Sequence, residues 1–403
     1  LVSSSAASDV YKRQLIMLAK FKNFKLTQLL IVIIFISCTV PDESSVQETT
    51  TESQETTTTS TVAPPTTTTT VAPSTTTTTV APSTDVNCGN LADSPFVDDE
   101  KIRVFAASDL NQETVNSTLE FANEAYDLWM SEEYYGICQA KAIYLMITGS
   151  DIDAGRKANQ EFCDLLKDMK YKSAEWCSND TSDGYVRNGG AGINSNGPVE
   201  GFYFMVMGPR GNNFDNSYKT MAYHEVIHIY QISNIYSRTW DEADTKMGKR
   251  TGDDPNIDVA WWAEGNADFL AALYTSDTFD DFRSKMRDPL ESTGPFGISR
   301  KQKYFDNKQK LYNISWEQGE TVDLAYRIGN WFTAYLVHNH GEQSIYDFWE
   351  NVDKDSFDNT FIKVFGKDYR TYTDEFDVWL QQSNSELYKI LDPIYDSKIK
   401  KAG

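Results

Sequence analysis

Two histidines four residues apart enclose a glutamate in the segment His224-Glu225-Val226-Ile227-His228. The chain has only four histidines in 403 residues, so chance rarely produces this arrangement. On a helix, residues four apart lie on one face, and two such imidazoles can bind a single zinc ion. Glu225 then lies beside the metal. The motif therefore predicts a zinc site carried by a helix.

The residues around the motif favour a helix. Residues 218–231 contain no glycine or proline, and Asn216 and Ser217 precede them as candidate N-caps. Apolar residues fall on most sides of this segment, which predicts a buried helix. The alternative is a core helix whose histidines only form hydrogen bonds.

A catalytic zinc site usually has three protein ligands and an open position for water. The best candidate for the third ligand is Glu264, in a segment, 261–270, that is predicted to form a second buried helix. Asp268 lies one turn after Glu264 on the same face. Its carboxylate could orient a zinc-bound imidazole.

This pattern, H-E-x-x-H followed by Glu264-x-x-x-Asp268, resembles the gluzincin metallopeptidases, the thermolysin-like clan. The sequence pattern around Glu264, W-x-x-E-G-x-A-D, is closest to the peptidase-MA-like and aminopeptidase-like branches. The resemblance implies that His224, His228 and Glu264 hold zinc, that Glu225 is the general base, and that Asp268 holds a histidine ligand. Residues 229–263 exceed the spacing in the thermolysin and aminopeptidase groups and therefore contain an insertion.

Two segments further along the chain carry additional candidates. Residues 323–336 resemble the Y-x-x-G-x-x-F-x-x-Y-L helix of peptidase-MA-like proteins, in which Tyr326 would donate a hydrogen bond to the oxyanion formed during hydrolysis. The alternative is a tyrosine that packs a helix. His338 and His340 form a possible metal pair at the end of this helix, although Asn339–Gly341 also has the composition of a helix C-cap.

A buried strand, 201–208, is predicted just before the zinc helix, after a loop at 188–197 that is rich in glycine and asparagine. Its position resembles the edge strand beside the zinc in this clan, which could pair with an extended peptide. An ordinary core strand would have the same sequence pattern.

The first residues predict export. Residues 1–16 resemble translated adapter sequence and are excluded as an artefact. Residues 17–38 have a basic start and a short apolar run that ends at Cys38, as in a lipoprotein signal peptide, with Cys38 acylated. An uncleaved anchor and plain secretion are the alternatives. Residues 39–87, rich in threonine and proline, predict a disordered stalk.

The four remaining cysteines predict two disulfides, because exported chains usually oxidise an even set. Sequence does not separate the three possible pairings. These cysteines are Cys88, Cys138, Cys163 and Cys177.

The predicted fold is α+β. A zincin-like catalytic domain with a small mixed sheet and the H-E-x-x-H helix spans 88–275, and a mainly helical lobe spans 276–403. Further helices are predicted at 112–130, 153–169, 277–286, 324–337, 343–352 and 373–384, with a strand at 142–148. The formal net charge of -22 argues against nucleic acid and anionic lipid as partners.

These observations predict an exported zinc metallopeptidase, held at the membrane only by its N-terminal lipid. Zn²⁺ is the expected cofactor and a peptide or protein is the expected substrate. One alternative is a surface binding module that uses zinc for stability, although such a module has no use for Glu225. The other is a hydrolase of a non-peptide amide, such as a cell-wall crosslink.

Overall fold

The two apolar segments around residues 145 and 205 form neighbouring strands of one sheet in the computed structural model. The described residues are 102–130, 142–195, 202–208, 216–235, 240–253, 257–293, 297–316 and 321–402. The strands are β1 (Ile102–Ala106), β2 (Ala142–Ile147), β3 (Gly190–Ser195) and β4 (Phe202–Gly208). Their order in the sheet is β1-β2-β4-β3.

The sheet is mixed, as predicted. β1, β2 and β4 run parallel, and β3 pairs antiparallel with β4. The placement of the 201–208 strand at a sheet edge is wrong, because β4 pairs with β2 on one side and with β3 on the other. Its continuous apolar sequence agrees with this position, since all its residues are buried. The edge on this side is β3.

The loop predicted at 188–197 is also wrong in part, because residues 190–195 form β3. The sequence Gly-Ala-Gly-Ile-Asn-Ser has the composition of a turn and little intrinsic tendency to form a strand. Pairing with β4 along its whole length, from Gly190 opposite Gly208 to Ser195 opposite Tyr203, stabilises it instead. Tertiary contacts here override local preference.

The rest of the described chain is mainly helical, so the fold is mixed α+β with a small sheet. The helices before the insertion are α1 (Gln112–Trp129), α2 (Ile152–Asp168), α3 (Asp180–Asn188) and α4 (Asn216–Ser233). Those that follow are α5 (Trp240–Lys246), α6 (Trp261–Tyr274), α7 (Phe279–Glu291), α8 (Arg300–Asn307), α9 (Val322–His340), α10 (Gln343–Val352), α11 (Phe357–Phe365), α12 (Tyr369–Leu380), α13 (Asn384–Leu387) and α14 (Leu391–Ala402).

Each predicted helix is present; the one at 343–352 has the predicted ends, and the others are shifted. The largest shift is in the helix predicted at 277–286, which continues to Glu291. The last predicted helix begins at Tyr369 rather than at residue 373 because the Asp368 side chain caps it by accepting from Thr371 N. In the same way Thr278 caps α7 and moves its start to Phe279. The sequence missed α3, α5, α8, α11, α13, α14 and β1.

Helices α6 and α9 approach each other closely at Gly265 and Gly329. A Cβ atom at Gly265 would lie 2.5 Å from the carbonyl carbon of Gly329 and 2.6 Å from its oxygen. Two glycines therefore let the two backbones touch. Residue 264 of α6 directly precedes Gly265, and residue 326 of α9 lies three positions before Gly329. The contact between the glycines therefore holds these two residues close together.

We expect Gly265→Ala to lower the free energy of unfolding by about 1–3 kcal/mol, because its methyl group must push the two backbones apart. Denaturant unfolding measures this. Gly184→Ala in α3 is the matched control: no atom lies within 4 Å of its Cβ position, so alanine should stabilise the helix by about 0.5–1 kcal/mol. Equal stability of Gly265→Ala and wild type would contradict the contact.

The predicted insertion, 229–263, runs from the end of α4 through α5 to the start of α6. Its second half is fixed to the helical core through Thr251. The Thr251 hydroxyl accepts a hydrogen bond from Trp261 Nε1 at 2.9 Å, and its carbonyl accepts from Arg370 at 2.9 Å and from the Tyr369 hydroxyl. Thr251 therefore connects this part of the chain to α6 and α12.

Cys163 on α2 forms a disulfide with Cys177. This is one of the pairs that the sequence left open. Cys88 and Cys138 lie outside the described residues, as do Cys38, the signal peptide and the stalk. No helix in the described part of the chain is long and apolar enough to cross a membrane.

Candidate metal centre

Helix α4 carries both histidines of the motif into the interior. Ala222, Val226, Ile227 and Tyr230 are buried on this helix, which is why the sequence folds it into the core. The side chains of His224 and His228 are 13% and 6% exposed. Their Nε2 atoms lie 3.0 Å apart, so the two imidazoles converge on one point.

Helix α6 brings Glu264 to the same point. Apart from Glu264, Asp268 and Tyr274, every residue of this helix is buried. The Glu264 carboxylate oxygen Oε2 lies 3.2 Å from His224 Nε2 and 3.0 Å from His228 Nε2. In the described part of the chain, this is the one group of three or more His, Cys, Asp or Glu side chains arranged to hold a metal ion.

Each imidazole contacts a side-chain oxygen through Nδ1, its ring nitrogen on the side away from the cluster. His224 Nδ1 lies 2.9 Å from Asp268 Oδ1, as the sequence predicted for Asp268. His228 Nδ1 lies 2.8 Å from Gln231 Oε1. Asp268 is itself fixed by Arg327 on α9, whose guanidinium donates to Oδ2 at 2.9 Å. When neutral, imidazoles that donate their Nδ1 hydrogens to this carboxylate and this amide oxygen direct their Nε2 lone pairs at the cluster.

This donor set suits a metal cation. Two imidazole lone pairs and a carboxylate oxygen repel one another unless a positive charge lies between them. Zinc bonds of about 2.0–2.2 Å at tetrahedral angles place ligand atoms roughly 3.3–3.6 Å apart. The three separations of 3.0, 3.0 and 3.2 Å are close to this spacing. Two imidazoles and one carboxylate also form a common ligand set of catalytic zinc.

The metal-free cluster is strongly coupled electrostatically. Burial favours a neutral Glu264, but the two imidazoles and their hydrogen bonds lower its pKa below the ordinary value. Burial likewise favours neutral imidazoles, yet the hydrogen bonds that His224 donates to the carboxylates of Asp268 and Glu264 raise its pKa well above the usual range. The pKa of His228 is raised as well, mainly by Glu264 against the effect of burial. The cluster therefore stabilises a positive charge, whether it is a bound proton or a metal ion.

Glu225 lies between the two histidines in sequence and is 6% exposed. Burial raises its pKa; the positive charge of the two imidazoles opposes this effect, and the carboxylates of Glu264 and Asp268 add to it. A carboxylate with a raised pKa is better suited to accept and return a proton near neutral pH. Glu225 is outside the group of three potential ligands.

Tyr326 on α9 faces the cluster. Its ring lies nearly parallel to that of His224, with centroids 6.4 Å apart and an angle of 14° between the planes. Burial raises its pKa well above the ordinary value, and the charges of Glu264, Asp268 and Glu225 raise it further. The phenol therefore stays protonated and can donate a hydrogen bond beside the ligands.

The second histidine pair is remote from this cluster. His340 is the last residue of α9, and its Nε2 lies 2.8 Å from the Tyr372 hydroxyl, which donates to the Phe365 carbonyl. His338 is exposed. Twelve residues of helix, about 18 Å, separate His338 from Tyr326. Gly341, with φ of 82°, caps the helix, in agreement with the C-cap prediction.

Sequence reasoning did not identify Gln231 as a neighbour of His228 or Arg327 as a partner of Asp268. Gln231 lies three residues after His228, so helical spacing could have indicated it as a neighbour of that ligand. Arg327 lies 59 positions from Asp268, and no local pattern connects the two. Arg327 also approaches Asp323, at 3.8 Å, so its guanidinium links two carboxylates of different helices.

No protein-family model matches the chain, and no curated protein matches it. The functional argument therefore depends on the chemistry of these side chains.

Proposed function

We propose that this protein is a zinc metallopeptidase of the gluzincin type. The observation that carries the proposal is the convergence of His224 Nε2, His228 Nε2 and Glu264 Oε2 within 3.2 Å of one another, with the buried carboxylate of Glu225 beside them. Three ligands leave one tetrahedral position for water and substrate.

The proposed reaction is the hydrolysis of an amide bond by water. When bound, zinc supplies a Lewis acid that lowers the pKa of water to about 7 and polarises a carbonyl. Glu225 accepts the proton of the attacking water at its carboxylate and passes it to the nitrogen of the leaving amine. Tyr326 donates its phenolic hydrogen bond to the oxygen that becomes negative. Asp268 and Gln231 keep the two imidazoles oriented.

The sheet supports a peptide as the substrate. β3 is an edge strand, and α4 packs against it. On the side away from β4, no described strand pairs with it. The backbone groups of such an edge can bind an extended peptide by strand addition. In this proposal an extended peptide pairs with β3, and not with the strand at 201–208 that the sequence suggested.

The environment of Glu225 favours an enzyme over a binding module. Burial of this carboxylate raises its pKa, so keeping it ionised at neutral pH costs folding free energy. A module that used zinc only for stability would gain from an apolar residue at this position. A non-peptide amide would use the same groups, and a comparison of substrates distinguishes that alternative.

We also retain export and lipid anchoring through Cys38 as part of the proposal. They rest on the sequence of residues 17–38 and place the activity at the cell surface.

The test of the proposed function is hydrolysis of a quenched-fluorescent peptide library by the purified, zinc-loaded protein. We expect cleavage that a chelator abolishes and added zinc restores. Mass spectrometry of the products then gives the bond that is cleaved. Absence of cleavage by protein that contains zinc, together with release of amide products from cell-wall fragments, would favour the non-peptide alternative.

We expect Tyr326→Phe to lower kcat by about 10²-fold, because one oxyanion donor is lost, and to leave the zinc Kd within about threefold. Steady-state kinetics and a chelator competition measure the two values. Tyr335→Phe is the matched control: it lies on the same helix but packs against Phe376 and Trp379. An unchanged kcat for Tyr326→Phe would assign the tyrosine to packing alone.

A further inference from the structure

Gln231 joins the two helices that carry the metal ligands. It lies near the C-terminal end of α4, and its side chain is fully buried. Its amide makes two hydrogen bonds, one between Oε1 and His228 Nδ1 at 2.8 Å and one from Nε2 to the carbonyl oxygen of Ala263 at 3.1 Å. The first lies within α4, and the second reaches the first turn of α6.

The Ala263 carbonyl determines which way the amide points. A carbonyl oxygen can only accept, so the amide NH₂ must face Ala263. The amide oxygen then faces His228 and can only accept a hydrogen from Nδ1. A neutral imidazole carries one ring hydrogen, and here it is on Nδ1. The lone pair of His228 Nε2 is therefore directed at His224 and Glu264.

The second hydrogen bond fixes the distance between two ligands. Ala263 directly precedes Glu264, so a side chain that binds the Ala263 carbonyl holds the Glu264 backbone as well. His228 lies on α4 and Glu264 on α6. Gln231 contacts the imidazole of His228 and the backbone of α6 at Ala263. Asp268 makes the reciprocal connection, from α6 to His224 on α4.

We propose that Gln231 is a positioning residue of the metal centre, which sets the tautomer of His228 and the separation between His228 and Glu264. Zinc affinity then depends on a residue that does not touch the metal. The inference rests on the zinc centre of the proposed function and is independent of which substrate is hydrolysed.

The test compares the zinc affinity of two replacements of similar length in the full chain. Gln231→Met loses both hydrogen bonds, and Gln231→Glu keeps the acceptor for His228 Nδ1 but loses the donor to Ala263. In a chelator competition, we expect Gln231→Met to raise the zinc Kd by about 10–100-fold. Gln231→Glu loses only the connection to α6, and we expect it to raise the zinc Kd by a smaller factor, about 5–10-fold.

Asn234→Ala is the matched control for the loss of a buried amide, directly after the end of the same helix. Asn234 is fully buried, and its Nδ2 donates to the Tyr230 carbonyl at 3.0 Å, away from the ligands. We expect a lower melting temperature and a zinc Kd within about twofold of the wild-type value, since only a general packing contact is lost. Thermal unfolding of the metal-free variants separates loss of fold from loss of metal.

Two results would overturn the inference: a Gln231→Met variant that folds and binds zinc as tightly as wild type, or equal losses of affinity for Gln231→Met, Gln231→Glu and Asn234→Ala. If Gln231→Met does not fold, Gln231→Asn replaces it. The shorter amide cannot span both partners, and we expect a rise in zinc Kd of about tenfold. A wild-type protein that binds zinc but cleaves no peptide would refute the peptidase and leave this inference intact. A wild type that binds no zinc would refute both.

Discussion

Glu225→Gln is expected to reduce kcat by about 10²–10⁴-fold while the zinc Kd stays within about threefold of the wild-type value. Glutamine has the size of glutamate but cannot accept a proton from the attacking water. The three potential ligands, His224, His228 and Glu264, are unchanged by this substitution. Kinetics on a cleaved library peptide, with the zinc content of both proteins determined in parallel, measure the effect.

The control for this substitution is Glu386→Gln, which removes an exposed carboxylate that pairs with Lys389. Its kcat should equal that of wild type. Equal cleavage by wild type and Glu225→Gln would mean that another group is the base or that the activity comes from a contaminant. Loss of zinc from Glu225→Gln would instead assign Glu225 a part in holding the metal.

Glu264→Gln is expected to raise the zinc Kd by more than about 100-fold, beyond the 10–100-fold typical of a residue that only orients a ligand. The reason is that a neutral amide oxygen replaces the one anionic donor of the cluster. Competition against a chromogenic chelator gives the Kd, and activity should fall in parallel at limiting zinc.

A second buried glutamate provides the matched control. Glu342 is 7% exposed and accepts hydrogen bonds from Tyr274 at 2.6 Å and Tyr346 at 2.8 Å. Glu342→Gln should affect stability and leave the zinc Kd unchanged. If both variants weaken zinc binding equally, Glu264 acts through the fold and the third ligand lies elsewhere.

The residues that could hold a metal were found from sequence because their spacing is local. His224 and His228 are one helical turn apart, and so are Glu264 and Asp268, so each pair is visible as a pattern. Glu264 follows His228 by 36 positions, so no local spacing connects it to the histidines. Its predicted buried helix, Asp268 one turn later and the family resemblance indicated it instead. The structure brings these side chains together.

Other features depend on contacts between distant segments and were therefore missed or misplaced. The order of strands decides which one forms the edge, and the sequence of β4 does not contain that order. β3 is a strand because β4 lies beside it, although its own residues favour a turn. The contact of Gly265 with Gly329 and the pair formed by Arg327 and Asp268 likewise join separate helices.

The claim on which all the others depend is that His224, His228 and Glu264 bind one zinc ion. Anomalous diffraction from crystals of the zinc-loaded protein, recorded on both sides of the zinc absorption edge, tests it directly. We expect one peak per chain, within about 2.0–2.2 Å of the two Nε2 atoms and a Glu264 oxygen. A peak at His338 and His340, or no peak in protein that was saturated with zinc, would contradict the account.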